Sequence, residues 1–311
     1  MASKRVLILG GTGFIGSHLA MRLNAHGWRV RCIARMINKE IGSHRTEGVD
    51  YLGGDVVSGI SGSVFKDVDV VYHLAWPCPE ACADWSVSSQ YIAAAERIAL
   101  QCIEADVRKL IFASSGGAVY GRGSGHCIRE DSLCSPVSPY GQAKLLAEHR
   151  LMQYAHVLPI TIVRPSNVYG RDPQRRPTRG LVDMAVHHAF SQEPLQVFVP
   201  PDTKRDFVHI DDVIAALEEL ALSHLNPSLI NIGSGSGASI DEVIRLVNRL
   251  SGKTLRVAFS GPKRCIEVRE NSLSSARLYR LFPALSSPLT LEKGISRLIQ
   301  AKSPFQSSVS P

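Results

Sequence analysis

Glycines at positions 10, 13 and 16 follow directly on an apolar run near the start of the chain, and this arrangement restricts the fold more than any other feature. Val6–Leu9 has the character of a strand, and the residues after Gly16 have the periodicity of a helix. In this context Gly10 permits a tight turn, Gly13 lets backbone N–H groups approach a pyrophosphate at the helix N-terminus, and Gly16 allows close helix–strand packing. The pattern predicts the first unit of a dinucleotide-binding sheet.

Apolar runs typical of buried strands alternate with segments of helical periodicity over the first half of the chain. The strand-like runs are 6–9, 28–34, 68–74, 109–113 and 159–163, and the helical segments are 14–26, 85–105 and 140–155. This alternation predicts an α/β fold with a Rossmann-like, doubly wound parallel sheet and helices on both faces. We assign 1–164 to a dinucleotide-binding domain and 165–302 to a smaller C-terminal α/β substrate lobe, from which the chain could cross back. Residues 303–311, rich in Ser and Pro, are expected to form a disordered tail.

The end of the second strand bears on which dinucleotide is bound. A carboxylate there would hold the adenosine ribose hydroxyls of NAD, but positions 34 and 35 are Ala and Arg. Arg35 could cover the adenine face, could pair with the 2′-phosphate of NADP or could be a solvated loop residue, so both NAD and NADP stay open. At the following strand ends, Asp55 could accept from the adenine amine, and His73 is interpreted as a packed, hydrogen-bonded structural residue. The residues predicted to contact the cofactor are Gly10, Gly13, Phe14, Ile15, Gly16, Arg35, Asp55, Val56, Leu74, Ala75, Tyr140 and Lys144.

Tyr140 and Lys144 stand four residues apart on a predicted helix, so one helical turn places both side chains on the same face. An ammonium close to a phenol lowers the phenol pKa, and such a tyrosine can exchange a proton near neutral pH. Tyr-x3-Lys is common by chance. Downstream of a dinucleotide fingerprint, however, it indicates pyridine-nucleotide redox chemistry with tyrosine as the acid/base.

Composition excludes several other classes of function. The 311 residues carry a net charge of +7, but the basic residues are dispersed, which favours anionic small molecules over nucleic acid. Seven cysteines occur without the Cys/His spacing of a zinc site, so we expect free thiols in a reducing compartment and no metal. The first residues run directly into a strand without a signal peptide, and no apolar stretch is long enough to span a membrane. A cytoplasmic protein is expected.

Taken in order, these motifs resemble the extended short-chain dehydrogenase/reductase family, and specifically its nucleotide-sugar 4-epimerases. The matching segments are the glycine motif, Gly54-Asp55, His73-Leu-Ala, Ser114-Ser-Gly-Gly-Ala-Val-Tyr-Gly121, Tyr140-x3-Lys144, Arg164-Pro-Ser-Asn-Val-Tyr-Gly170, Arg205-Asp-Phe-Val-His-Ile-Asp-Asp212, Asn231-Ile-Gly-Ser-Gly235 and the weaker Arg264-x2-Glu-Val268. The likeness extends to about Leu278. It implies a nucleotide-diphosphate sugar as substrate, frequent homodimerisation, and NAD(P)-dependent oxidation to a 4-keto sugar that is reduced again on the opposite face. A role in surface polysaccharide synthesis is inferred from the resemblance alone.

In such enzymes the resemblance implies that Tyr140 removes the proton of the sugar 4-hydroxyl while Lys144 holds the nicotinamide ribose. A serine or threonine usually shares the substrate hydroxyl, but Gly116 occupies that position here. We assign the role to Ser115, because the glycine pair that follows could let it turn inward. The alternative is that Ser114 and Ser115 only cap the end of the strand. Gly117-Ala118 lacks the acids of related 4,6-dehydratases and decarboxylases.

Substrate contacts are likewise carried over from the family. Arg205 and Arg264 match arginines that bind the diphosphate, and Asn167 would donate its amide to the diphosphate or the sugar. Asn271 aligns with a tyrosine that crowds the sugar C2 substituent in UDP-galactose epimerases, which suggests that N-acetylhexosamines are accepted unless Asn271 lies in a surface turn. Two rival functions stay open: an NADPH-dependent 4-keto-sugar reductase, favoured by Arg35, and a non-catalytic dinucleotide sensor or scaffold, suggested by Gly116.

Overall fold

The computed structural model describes residues 4–35, 46–121, 127–170, 179–260 and 270–302. The strands of these residues are β1 (Arg5–Leu9), β2 (Arg29–Ala34), β3 (Asp50–Gly53), β4 (Val70–His73), β5 (Lys109–Ala113), β6 (Ile160–Pro165), β7 (Asn167–Tyr169), β8 (Leu195–Val197), β9 (Lys204–His209), β10 (Leu229–Ile232), β11 (Gly237–Ser239) and β12 (Val257–Phe259). The helices are α1 (Phe14–Ala25), α2 (Trp85–Glu104), α3 (Gly116–Val119), α4 (Pro139–Met152), α5 (Leu181–Ser191), α6 (Ile210–Leu222), α7 (Ile240–Ser251), α8 (Ala276–Leu281) and α9 (Leu291–Lys302).

A seven-stranded sheet forms the centre of the molecule, in the order β10-β6-β5-β4-β1-β2-β3. All its neighbouring strands are parallel. Side chains alternate between two cores: Val6 and Ile8 pack with α1 and α6 on one face, whereas Leu7 and Leu9 pack with α2 and α4 on the other. Burial on both faces explains why these strands read as continuous apolar runs. The predicted α/β, Rossmann-like fold class is confirmed.

Residues beyond 164 contribute both to this sheet and to smaller ones. β10 pairs with β6 at the edge of the main sheet, from Leu229 opposite Ile162 to Ile232 opposite Pro165. The order β11-β9-β7 forms a three-stranded sheet, and β12 pairs with β8. A third core, around Val182, Val243 and Ile295, joins α5, α7 and α9. The division into two domains at residue 164 stays a prediction, and the expected tail lies outside the described residues.

The helix that carries Tyr140 begins with a well-defined cap. Ser138 precedes α4, and its hydroxyl accepts a hydrogen bond from the backbone N–H of Gly141 at 3.1 Å. Pro139 occupies the first helical position, where its lack of an N–H costs nothing. These two residues fix the start of α4 beside the carboxyl end of β5. From that start, Tyr140, Lys144 and Glu148 follow at successive turns.

Candidate active site

A cavity of about 190 Å³ lies at the carboxyl ends of β1, β2, β3 and β4. Seven of the residues predicted to bind a dinucleotide line it: Gly10, Gly13, Arg35, Asp55, Val56, Leu74 and Ala75. Its other lining residues, Thr12, Ile33, Ala34, Gly54, Trp76 and Tyr91, were not predicted. Most of them adjoin predicted positions, whereas Tyr91 comes from α2 and had no signal in the local sequence. One carboxylate oxygen of Asp55 accepts from the Val57 backbone N–H at 2.8 Å.

The glycine turn fits a phosphate group. Gly10 has φ +90°, and a Cβ at this position would lie 2.9 Å from the backbone nitrogen of Ala75. A Cβ at Gly16 would lie 2.2 Å from the carbonyl oxygen of Gly10, so the close packing of α1 on this turn requires glycine. Gly13 precedes α1 without a side-chain cap, and the first turn, which begins with Phe14 and Ile15, contains no acidic residue. The positive end of the helix is therefore available to an anion at the cavity.

Tyr140 and Lys144 do not belong to that lining, but they lie at the adjoining end of β5. Lys144 is 3% exposed, and its ammonium donates to the carbonyl oxygen of Ala113 at 2.6 Å. Burial lowers the pKa of Lys144 to about 7. Burial also raises the pKa of Tyr140 to about 12, while the neighbouring Ser115 side chain acts in the opposite direction. The sequence predicts that a neighbouring ammonium lowers the Tyr140 pKa. In the protein without cofactor, the effect of burial is larger, and the pKa is raised.

The two neighbouring serines have different partners. The Ser114 hydroxyl donates to the Glu148 carboxylate. That carboxylate also accepts from the Arg164 guanidinium at 3.0 and 2.5 Å, in a fully buried ion pair. The Ser115 side chain instead lies close enough to Tyr140 to lower the pKa of its phenol. Ser114 thus belongs to a structural cluster, and Ser115 is placed beside the tyrosine.

A second cavity, of about 270 Å³, lies in the part of the molecule predicted to bind substrate. Asn167 and Arg205 both line it, together with Arg179. The Asn167 amide donates to the carbonyl oxygen of Asp206 at 2.9 Å, and the Arg205 guanidinium donates to that of Lys204 at 2.7 Å. Arg264, the other predicted diphosphate ligand, lies outside the described residues.

The family model described as the NAD dependent epimerase/dehydratase family matches residues 6–233. The chain belongs to this family. It is 33% identical over 288 residues to a UDP-glucose 4-epimerase of Azospirillum brasilense, covering 83% of this chain and 81% of that relative. The resemblance predicted from the motifs is confirmed, and the family description supports NAD as the cofactor.

Solved structures with a similar fold agree with this assignment. A UDP-glucose 4-epimerase of Thermus thermophilus in complex with NAD superimposes with a TM-score of 0.83 at 26% identity, covering 96% of this chain and 98% of its own. The NAD-dependent NDP-hexosamine 5,6-dehydratase TunA, from tunicamycin biosynthesis, has a TM-score of 0.85 at 30% identity, covering 96% and 97%. Family likeness at this level therefore includes more than one reaction, and the site residues have to distinguish them.

Glycine occupies position 116, where the family resemblance leads one to expect serine or threonine, and the cause is steric. A Cβ at Gly116 would lie 2.3 Å from Cδ1 of Leu273 and 3.0 Å from the carbonyl oxygen of Arg164. Leu273 is fully buried, in a small cluster with Val119 and Ile128. It therefore occupies the space that a serine or threonine side chain would need. The hydroxyl beside Tyr140 comes from the preceding residue.

Asn271 lies close to the same turn and not in a surface turn. It is 1% exposed, and its amide donates to the carbonyl oxygen of Gly116 at 3.3 Å. Its side-chain oxygen has no hydrogen-bond partner among the described residues. The backbone carbonyl of Asn271 accepts from the N–H of Asp206 at 2.8 Å, which fixes the segment beside β9. Its contact with a sugar stays a prediction.

Arg179 is a candidate that the sequence analysis did not place among the substrate residues. It lines the second cavity and forms an ion pair with Glu80 at 2.9 Å. The Arg179 guanidinium beside Cys78 also holds the pKa of that thiol below its usual range. Glu80 and Cys78 follow β4, so the pairing depends on tertiary structure that no local pattern reports.

His73 is packed as predicted, but the predicted hydrogen bond is wrong. Neither ring nitrogen has a partner among the described residues, and burial lowers the pKa of His73 to about 3. The ring lies 5.3 Å from that of Phe112. His73 is therefore a neutral packing residue below the site.

Within the described ranges, no cluster of three or more His, Cys, Asp or Glu side chains able to hold a metal ion occurs. Nor does any helix in those ranges combine the length and apolar character needed to cross a bilayer.

Proposed function

We propose that this protein is an NAD-dependent nucleotide-sugar 4-epimerase. The observation that carries the proposal is the placement of Ser115 beside Tyr140, on the helix that also carries Lys144, next to a cavity suited to a dinucleotide. Membership of the family and similarity to UDP-glucose 4-epimerases support it. A non-catalytic sensor or scaffold would have no need of this tyrosine–lysine pair.

NAD, when bound, would supply the hydride acceptor and donor for C4 of the sugar, and the glycine turn with Asp55, Leu74 and Ala75 would hold it. Tyr140 would take the proton from the sugar 4-hydroxyl and return it after the face has changed. Ser115 would orient that hydroxyl. Because burial raises the pKa of Tyr140, tyrosinate formation requires positive charge, which Lys144 supplies from one helical turn away.

The neighbouring residues favour epimerisation over elimination or decarboxylation. Related dehydratases and decarboxylases carry acidic residues at the positions of Gly117 and Ala118. These two residues have no carboxyl group. Glu148, the acid buried nearby, is committed to Arg164 and Ser114. The rival that keeps a supporting observation is the NADPH-dependent 4-keto-sugar reductase, because Arg35 lines the dinucleotide cavity.

The substrate proposed is a nucleotide-diphosphate sugar. Arg205 and Asn167 at the second cavity, with Arg264, would bind the diphosphate, since guanidinium groups suit phosphate oxygens. The unpaired side-chain oxygen of Asn271 supports acceptance of an N-acetylated sugar, whose amide N–H it could bind. A cytoplasmic location belongs to the proposal and is supported by the six described cysteines, all free. The homodimer is proposed from family resemblance alone.

A hydride-tracing experiment tests the reaction. UDP-glucose and UDP-N-acetylglucosamine deuterated at C4 are incubated with the protein and catalytic NAD, and products are followed by proton NMR. An epimerase should give the C4 epimer with deuterium retained and NAD regenerated. Consumption of NADPH with a 4-keto sugar, and no epimer under any condition, would establish the reductase instead.

Tyr140→Phe provides the matched control, because it removes the acid/base oxygen and little volume. Turnover should fall by at least ~10²–10⁴-fold, the usual contribution of general acid–base assistance. NAD affinity measured by calorimetry should stay near the wild-type value. Activity of the variant close to wild type would exclude Tyr140 as the acid/base.

A further inference from the structure

Trp76 lies where the dinucleotide cavity meets the Tyr140–Lys144 pair. It follows β4 and lines the cavity, and the Lys144 ammonium is 4.0 Å from the centroid of its ring. The ring of Phe112 lies on another side of the same ammonium, at 4.7 Å. Since Lys144 is 3% exposed, these two rings and the carbonyl oxygen of Ala113 supply much of its immediate environment.

The Glu148 carboxylate raises the pKa of Lys144 through its charge, but it forms no ion pair with the ammonium. No ion pair within the described part of the chain includes Lys144, and Glu148, one turn further along α4, is held by Arg164 and Ser114. The titratable or charged groups close to it on the surrounding elements are Tyr140, Glu148, His73, Cys82 and Arg164. A carboxylate in contact would cancel the field of the ammonium at Tyr140. An aromatic ring attracts the cation through its quadrupole and adds no net charge, so that field is preserved.

The Trp76 ring is itself fixed by aromatic neighbours. It meets Phe112 edge-on, with centroids 5.7 Å apart, and lies at a tilt to Tyr91, also at 5.7 Å. These contacts come from β5 and α2, so the ring is held from two sides. Its face is thereby presented to the Lys144 ammonium.

We propose that Trp76 is a positioning residue that keeps Lys144 protonated and in place at the dinucleotide cavity. The inference rests on the proposed function, in which the charge of Lys144 assists Tyr140. It matters because burial already lowers the pKa of Lys144 to about 7, so the ammonium predominates only below that pH. Loss of the ring lowers this pKa further and leaves the amine neutral at working pH.

The decisive measurement is the titration of Lys144 itself in protein without cofactor. Lysine labelled with ¹³C at Cε reports protonation by NMR, and Lys144→Arg assigns the signal. In Trp76→Leu the titration midpoint should fall by about one pH unit, as expected for loss of a desolvated cation–π contact. Trp76→Phe, which keeps a ring, should shift it less. Trp85→Leu, the same substitution at a half-exposed tryptophan that begins α2, is the matched control and should not shift it.

A midpoint in Trp76→Leu equal to that of the wild type, or equal shifts in the Trp76 and Trp85 variants, would overturn the proposal. If Trp76→Leu does not fold, fluorinated tryptophans introduced at position 76 weaken the ring quadrupole without changing its shape. The midpoint should then fall stepwise with fluorination. An unchanged midpoint across that series also overturns the proposal.

The pH profile of catalysis connects this property to the reaction. The basic limb of kcat/KM should move to lower pH in Trp76→Leu by the same amount as the Lys144 midpoint, a change that loss of packing alone would not produce. If no epimerase activity exists, the proposed function fails while the cofactor-free titration still decides the role of Trp76. If epimerase activity exists and its basic limb does not follow the midpoint, the positioning role is wrong and the function stands.

Discussion

Replacing Gly116 by alanine tests why this family member lacks a hydroxyl beside its tyrosine. A Cβ at this position would lie 2.3 Å from Cδ1 of Leu273. Carbon atoms in contact are normally about 3.5–4.0 Å apart, so Leu273 or the turn must move by roughly 1 Å or more. Leu273 is fully buried and the other close atoms are backbone oxygens, which leaves little room for relaxation. Overpacking of this kind typically costs about 1–3 kcal/mol of stability.

A double-mutant cycle isolates that contact. Leu273→Ala alone should cost about 2–5 kcal/mol because it leaves a cavity. It also removes the closest atom that a Cβ at 116 would meet, so Gly116→Ala should cost less in the Leu273→Ala background, where only the carbonyl oxygens of Arg164 and Pro165 stay close. We therefore expect a coupling free energy of about 1–3 kcal/mol between the two sites.

Urea unfolding of the four proteins measures the cycle, with Gly117→Ala as the control substitution. A Cβ at exposed Gly117 would meet only the Asn167 side chain, at 3.7 Å, so this change should be neutral or slightly stabilising. If the costs of Gly116→Ala and Leu273→Ala add to within about 0.5 kcal/mol, Leu273 is not the reason for glycine at 116. A wild-type-like stability of Gly116→Ala would refute the steric argument directly.

Three further substitutions address the neighbouring residues. Ser115→Ala should lower kcat by roughly 10-fold or more with little change in stability. Ser114→Ala should nearly keep the activity but cost ~1–3 kcal/mol in the free energy of unfolding measured with urea, because Glu148 loses a hydrogen-bond donor. Equal losses of activity would remove the distinction between the two serines. Arg35→Ala should weaken NADP binding by ~1.5–3 kcal/mol and NAD binding far less. Equal dissociation constants for the two cofactors in the wild type, measured by calorimetry, would show that Arg35 does not bind the 2′-phosphate. Asn271→Tyr should selectively exclude UDP-N-acetylgalactosamine relative to UDP-galactose, since overpacking costs ~1–3 kcal/mol. An unchanged ratio of the catalytic efficiencies for these two substrates, in a variant that unfolds normally, would place Asn271 outside the sugar site.

The sequence predicted the parts of the fold that depend on local pattern. The predicted strand 109–113 coincides with β5 (Lys109–Ala113), and the predicted helix 85–105 with α2 (Trp85–Glu104), because long apolar periodicities report burial on one face or two. Strands β3 and β10 were not predicted. Each has only four residues, and the pairing of β10 with β6 is set by contacts far apart in sequence.

For the candidate site, residue spacing alone located the glycine turn and the pair Tyr140 and Lys144. Which serine accompanies the tyrosine was decided only by tertiary structure, because Leu273, from a segment distant in sequence, fills the space beside Gly116. The environment of Lys144 was decided in the same way, by Trp76 and Phe112 from two different strand ends. Local sequence fixes which groups share a helix face, whereas hydroxyl partners, burial and the resulting pKa shifts depend on what the rest of the chain packs against them.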